Sequence, residues 1–457
     1  MKSKFILISA LLFFVLFFQN SIFCELTNDN YVEFELNPQI VFAPSFSDYK
    51  DNFFGINPIN PAELLFYLQD KVLPFGNVIL HFENNNIKFH FEYPIQYDLS
   101  GRLKYITNSI GFDFETLYYY LDPSLPLFSY LSLIEESFKI NIGRFPLKWG
   151  NALYPVTVSP TIFQDNFNLV FYFPKTKYYF LAISSYPGFT SEEKSVFGGD
   201  LKDVKTIFAH RIEFDFNKIN FSIGELNVIG GRTPDIIDIG PVVIYHHNFR
   251  NNSNVVGMMD LNVDLTENFS IYGEFSVDDI ILAEEAGGIT RPFAYAYVLG
   301  FEKSFSEDFV LRGEYDFVNE WMYTTYDSPY MTVNVRHMFT TKDGRFFADY
   351  PLGFIYGPDA RMLTLNLSTK IFDIPFVFEY NYLVKGTVVE DGLERWRWFW
   401  DGWTSNTVSL PVKGEYKKYN IFTLSSESSF ISLYAKLINF SKFYLGIFYK
   451  LDWKLKF

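Results

Sequence analysis

The chain has 457 residues, 20% of them aromatic, with 54 Phe and 32 Tyr against a single Cys, and carries a formal net charge of −15. An excess of 53 acidic over 38 basic residues excludes a nucleic-acid role, which needs a basic surface to neutralise phosphates. Beyond the N-terminal segment no run approaches the roughly 18 apolar residues of a helical membrane span, although the mean hydropathy of +0.02 comes with an aromatic content that an ordinary core would have to hide.

In chain order, Lys2 and Lys4 precede the apolar run Phe5–Phe18 and a polar Gln19-Asn20-Ser21. That layout predicts a signal peptide over 1–24, cut after Cys24, because the run is too short for a transmembrane helix. A lipidated Cys24 is the alternative, disfavoured by bulky Phe23 beside it. Cleavage leaves 36 basic residues against 53 acidic, a net charge near −17, and no cysteine. An exported chain without disulfides must be held by backbone pairing and packing. Residues 25–457 read as one domain. Their only helical candidate is "NPAELLFYLQDKVL" (60–73), opened by Asn60 and Pro61, a short helix or plug.

From there the pattern is period-2. "IKFHFEY" (87–93), "FKINIGRF" (138–145), "IFAHRIEFDF" (207–216), "LNVDL" (261–265), "FVLRGEYDF" (309–317), "MTVNVRHMF" (331–339), "MLTLNLSTKI" (362–371) and "FVFEYNYL" (376–383) all alternate, which predicts strands with one apolar and one polar face. Short turn sequences, among them "ENNN" (83–86), "NK" (217–218), "SED" (306–308), "TKDG" (341–344) and "FDIP" (372–375), alternate with long segments such as 185–205, 229–253, 279–291, 320–328 and 386–415. Sorting of connections by length is expected of an outer-membrane barrel. A bilayer satisfies no open strand edge, so an antiparallel sheet can span it only when closed. The fold class is therefore all-β, a transmembrane antiparallel barrel of about 18 strands, an even number being the bacterial rule. A secreted β-sandwich or β-helix is the soluble alternative. Inward charges such as Arg211, Glu213, Arg312, Glu314 and Arg336 would line the lumen.

The last strand, "FYLGIFYKLDWKLKF" (443–457), places Tyr449, Leu451, Trp453, Leu455 and Phe457 on one apolar face. A barrel ending in this way resembles substrates of the outer-membrane barrel insertion machinery, which implies that these residues act as the insertion signal. Three further stretches, "GRFPLKWGNALYPVTVSP" (143–160), "HNFRNNSNVVGMMDLNVDLTENFSIYGEFSVDD" (247–279) and "YPLGFIYGPDARMLTLNL" (350–367), resemble the capsule-assembly Wzi family. The resemblance implies an eighteen-stranded outer-membrane barrel of a diderm bacterium whose external face binds surface polysaccharide. Family members carry a helical bundle for which only 60–73 is available here, and no glycan-contacting residue maps across.

Two constellations stand out. "ERWRWFWDGW" (394–403) holds Trp396, Trp398, Trp400 and Trp403 with Arg395, Arg397 and Asp401. Indole faces beside such polar groups suit sugar rings. The period-2 spacing of Trp396, Trp398 and Trp400 equally suits a lipid-side interfacial girdle with the arginines inward. "YHHNFRNNSN" (245–254) offers His246, His247 and Arg250 to an acidic sugar. Adjacent histidines on a strand face opposite ways, so ordinary loop polarity is preferred to a metal site. No metal or cofactor is expected. Motifs of hydrolases, zincins and phosphate loops are missing, and the chain reads as a non-enzyme. The expected partners are outer-membrane lipid, the insertion machinery and a surface polysaccharide. A diffusion porin for small solutes, assembled as a homotrimer, is the transport-class alternative, and a structural anchor for an outer sheath protein is the third.

Overall fold

The computed structural model describes residues 30–42, 76–95, 128–160, 164–186, 188, 202–240, 244–248, 252–279, 293–324, 331–341, 344–390, 393–398 and 415–456. The leader with Cys24, the 60–73 segment and Phe457 lie outside them. The strands are β1 (Tyr31–Leu36), β2 (Gln39–Phe42), β3 (Gly76–Asn84), β4 (Ile87–Ile95), β5 (Phe128–Ile134), β6 (Phe138–Phe145), β7 (Gln164–Phe173) and β8 (Thr176–Ser184). They continue with β9 (Lys205–Asp215), β10 (Ile219–Gly230), β11 (Ser253–Thr266), β12 (Phe269–Asp279), β13 (Ala294–Ser306) and β14 (Phe309–Val318). After these come β15 (Asn334–Thr341), β16 (Gly344–Pro351), β17 (Ala360–Ile371), β18 (Ile374–Glu390), β19 (Leu393–Trp396), β20 (Tyr416–Glu427), β21 (Ile431–Ile438), β22 (Lys442–Tyr449) and β23 (Leu451–Lys456). Two helical turns, α1 (Ile236–Ile239) and α2 (Tyr245–Asn248), join β10 to β11.

Every wall pairing is antiparallel between neighbours in sequence, and the ends meet. Tyr31 lies opposite His81 of β3 on one side and Lys456 of β23 on the other. The register against the last strand continues unbroken through β2, from Leu36 against Leu451 to Gln39 against Phe448. Thus β1 with β2, and β22 with β23, are each one interrupted staff. With β15, β16 and β19 outside the ring, the twenty-three described strands make a closed wall of eighteen staves. Closure leaves no edge, which is what an apolar solvent demands.

The pleat sorts the side chains. Along β14, Arg312, Glu314 and Asp316 face inward while Tyr315 is exposed outward, and along β17 Thr364 and Asn366 are buried between outward Leu363 and Leu365. On β23, Leu451, Trp453 and Leu455 point out, and Lys450 and Lys454 turn in to Glu35 (2.6 Å) and Glu33 (3.6 Å) of β1. Eight turns at 85–86, 135–137, 174–175, 216–218, 267–268, 307–308, 372–373 and 428–430 close one end. At 372–373 both residues are left-handed (φ 53° and 63°), the type I′ geometry that matches strand twist. The other end carries every long connection, and the only brief one there is 439–441.

One expectation needs correction. "MTVNVRHMF" and "TKDG" do not belong to the wall. Residues 334–341 pair only with 344–351, as a separate hairpin within the β14–β17 connection. The described side chains at 334–338 and 348–349 are buried on both faces, so an alternating sequence serves a lid as readily as a staff.

An outward charge should be rejected and an outward ring tolerated. We expect Leu365→Arg, in the middle of β17, to destabilise the inserted barrel by about 2–4 kcal/mol, and Leu365→Phe to leave it nearly unchanged. Urea unfolding in lipid vesicles measures both, and a neutral arginine would mean that this face does not meet lipid.

Candidate functional site

The site is the lumen, into which three of the described connections pack. The connection after β6 turns inward, burying Leu147, Trp149, Ala152, Val156 and Val158. They pack with Met322, Tyr323 and Val333, with Leu352, Phe354 and Tyr356 of the β14–β17 connection, and with Trp396 and Trp398 beyond β18. Inward residues of the wall, such as Leu181, Ile207, Val228, Val298 and Met362, complete a single apolar core.

A wall of carboxylates holds this plug. Glu314 of β14 accepts the backbone N–H groups of Leu153 (2.7 Å) and Tyr154 (2.8 Å) and the hydroxyl of Tyr272 (2.8 Å). Glu274 of β12 accepts the N–H of Val156 (3.0 Å). On β18, Glu379 accepts the Tyr154 hydroxyl (2.5 Å) and the amides of Asn366 and Asn381 (both 2.8 Å). Such charge-assisted bonds are the natural partners of a buried loop, whose amides otherwise lose water without compensation. Inside the plug, the Tyr323 hydroxyl donates to the Val156 carbonyl (2.5 Å) and accepts the Phe354 N–H (3.1 Å). From the wall, Arg211 lies over the rings of Trp149 (5.9 Å) and Tyr179 (5.3 Å) while it binds Asp260 (2.9 Å).

The tryptophan-rich stretch is placed differently from the girdle reading. β19 pairs with the outer end of β18, Trp396 opposite Thr387. Trp396 and Trp398 are 2% and 6% exposed and lie in the plug core, not against lipid. The Trp396 indole N–H donates to the Tyr419 hydroxyl (2.9 Å), Arg397 is buried beside Asp359 (3.3 Å), and Arg395 is half-buried. The fully buried Lys385 ammonium donates to the Arg397 carbonyl (2.8 Å) and to the Pro358 carbonyl. A strand that leaves the membrane continues to alternate, but both its faces then meet protein. Trp400, Asp401 and Trp403 lie outside the described residues. His246 is exposed on α2 next to His247, and Arg250 is outside the described residues. Among the described residues, Trp396 and Trp398 lie in the plug core and His246 lies on α2 outside the wall. Of the inward charges expected from the sequence, Arg211, Glu213, Arg312 and Glu314 do line the wall. Arg336 instead sits in the lid hairpin, bidentate to Asp349 (2.7 Å for both bonds). Among the described residues no group of three His, Cys, Asp or Glu side chains is arranged to hold a metal. Two shallow clefts, at Leu365 and Phe378 and at Leu261 and Leu299, open on the outer apolar wall.

Sequence reasoning missed Glu274, Glu379 and Tyr154. The available signal was carboxylates at inward positions in mid-strand, where a water-filled channel and an anchored plug look alike.

No family model matches the sequence, and no curated protein does. Solved structures do. Wzi, described as a carbohydrate-binding β-barrel of the outer membrane involved in group 1 capsule assembly in Escherichia coli, superimposes with a TM-score of 0.51 at 11% identity. The match covers 93% of this chain and 84% of that one. OprD of Pseudomonas aeruginosa (TM-score 0.42, 9% identity, 94% and 96% covered) and OccAB4 of Acinetobacter baumannii (0.43, 9%, 95% and 99%) also match. The chain has the outer-membrane β-barrel fold.

Two outcomes follow for the plug. Glu314→Ala removes the acceptor of three hydrogen bonds, at about 1.5–3 kcal/mol for each bond to a charged group and less than additively. Amide exchange of residues 150–158 should quicken while the wall stays protected. The second concerns the lid. Burial pushes His337 down to about 4, aided by Arg144 and opposed by Asp165 and Asp349. A buried neutral imidazole makes the hairpin most stable above the usual histidine value of about 6.5. That stability is lost as pH falls from there toward 4, where the unfolded form takes up the proton first. Proteolysis of 334–351 should rise over that interval in the native chain and stay flat in His337→Phe.

Proposed function

We propose that this chain is an outer-membrane barrel that binds surface polysaccharide on its long-connection side, not an open diffusion pore. One observation carries the reading: three connections fill the lumen with a continuous apolar core, fastened to the wall by Glu274, Glu314 and Glu379. Solute flux needs a wet path, and a close-packed core leaves few voids larger than a water molecule. The likeness to a barrel described as carbohydrate-binding agrees with this and supplies the ligand class.

In this reading Trp396, Arg397 and Trp398 are the footing of the external face. Buried indoles fix β19, which leaves half-buried Arg395 as the described residue of this stretch nearest to an external glycan. The leader directs export, the 449–457 pattern engages the insertion machinery, and the chain works without chemistry of its own.

The test joins two measurements on the purified protein. Planar bilayers containing it should show no large steady conductance, and it should retain polysaccharide shed by its own cells on an affinity matrix. Glu274→Ala with Glu314→Ala should add conductance by loosening the plug. Open conductance in the native chain with no retention of polysaccharide would make it a porin and sink the proposal.

A further inference from the structure

The outer wall breaks the barrel's own rule where β9 meets β10. Arg211 and Glu213 of β9, and Ser222 and Leu226 of β10, face the lumen, so His210 and Glu225, opposite each other in register, face outward. Their side chains meet at 3.6 Å, and Asn227 on the same face is buried. Glu225 lies six residues up β10 from Ile219. With a rise of about 3.3 Å per residue and a tilt near 40° that is about 15 Å above the short-turn edge, inside an apolar band about 25 Å tall. Charged groups at that depth are destabilising if they meet lipid.

They do not meet it, because the β10–β11 connection folds back over them outside the barrel. Tyr245 of α2 is 1% exposed. Its backbone N–H donates to Glu225 (2.7 Å), its ring lies tilted against His210 (4.6 Å between centroids), and it packs on outward Phe180, Phe208 and Ile229. The rest of the described segment satisfies its polar groups internally. Asp235 caps α1 through the Ile236 N–H (2.6 Å), Asp238 accepts the Asp235 N–H (2.7 Å), and Arg232 grips Asp238 with two bonds (2.5 and 2.9 Å). Three isoleucines dominate what it exposes, Ile236, Ile239 and Ile244 at 84%, 41% and 54%, beside the exposed Thr233 and Asp235.

We propose that the described turns 235–240 and 244–245 form a lipid anchor, docked on the outer wall by Tyr245 and inserting Ile236, Ile239 and Ile244 among the acyl chains of the adjoining leaflet. Three features select lipid as the occupant. The surface continues the lipid-facing band, with exposed Ile223 just below on β10. The docking residue sits at bilayer depth. The buried Asp238 carboxylate is neutralised by Arg232, which lowers the cost of an apolar surrounding, although Asp235 stays exposed beside Ile236.

A spin label tests it. Cys24 is the only cysteine, so in a Cys24→Ser background Ile236→Cys can be labelled uniquely in the full chain and placed in lipid vesicles. Collision with oxygen, which prefers hydrocarbon, is compared with collision with a water-soluble nickel chelate. The oxygen-to-nickel ratio at 236 should match that of a label at Ile223→Cys on the wall and exceed several-fold that at Lys218→Cys in a short turn. A ratio equal to that at 218 places the segment in water and overturns the proposal. Shielding from both reagents with dipolar broadening means that a second copy covers it, which also overturns the proposal. Adding Tyr245→Ala should drop the ratio at 236 toward the water value, and Tyr245→Phe should keep it. If the ratio survives Tyr245→Ala in a barrel that still resists heat on gels, Tyr245 is not the docking residue and that half of the proposal fails.

Discussion

Everything in this molecule follows from the pairing of its first staff with its last. Backbone amides facing hydrocarbon have no water to fall back on, and an open sheet would leave two rows of them unsatisfied. The register from Tyr31 against Lys456 to Phe42 against Leu445 removes both rows at once. It also fixes where every other side chain goes. Once the ring is closed, alternate residues have no choice but lipid or lumen. The break at Asn37-Pro38 on one side and Lys450 on the other interrupts the strands without moving the register, because Tyr449 donates across it to the Pro38 carbonyl (2.8 Å).

Closure creates a second problem, an interior too wide for its own side chains to fill. This chain solves it with its connections. A loop drawn into the lumen must bring its amides out of water, and the wall supplies acceptors at the matching heights. Glu314 takes two consecutive N–H groups, and Glu274 takes one two residues further on. Two of the carboxylates that look like the lining of a cation channel, Glu314 and Glu274, are therefore engaged with backbone and fasten protein to protein. The same logic explains Lys205 and Lys385, wall lysines whose ammonium groups bind the carbonyls of Thr332 and of Pro358 and Arg397.

The wall was legible in the sequence because its rule is local. Period-2 alternation in strands such as 309–317 and 362–371 reports directly on a solvent boundary, and short turns against long connections report on direction. The plug was not legible. "LKWGNALYPVTV" (147–158) has no period, since its side chains pack on several elements at once, and nothing local distinguishes a connection that folds in from one that waves out. The same blindness explains Trp396 and Trp398. Their spacing suits a face toward lipid or toward sugar, but β19 stands beyond the ring, where Tyr356, Tyr419 and Gly357 receive the indoles. The hairpin at 334–351 shows it once more: alternation identifies a strand, and only tertiary pairing says whether it belongs to the wall.

His210 and Glu225 mark where the local rule should have been followed harder. Both stand on the face that lipid would claim, and the alternation of Ile207, Ala209 and Arg211 assigns them there without any structure. Two ionisable residues on that face in adjacent staves imply a cover, and the connection following β10 is close enough in sequence to provide it. Tyr245 suits the task because its ring shields the pair while its backbone N–H, free at the start of a helical turn, reaches the carboxylate. A position that violates a barrel's polarity therefore points to the part of the chain that must compensate for it. Here that part lies outside the wall, on the side where barrels are usually read as bare.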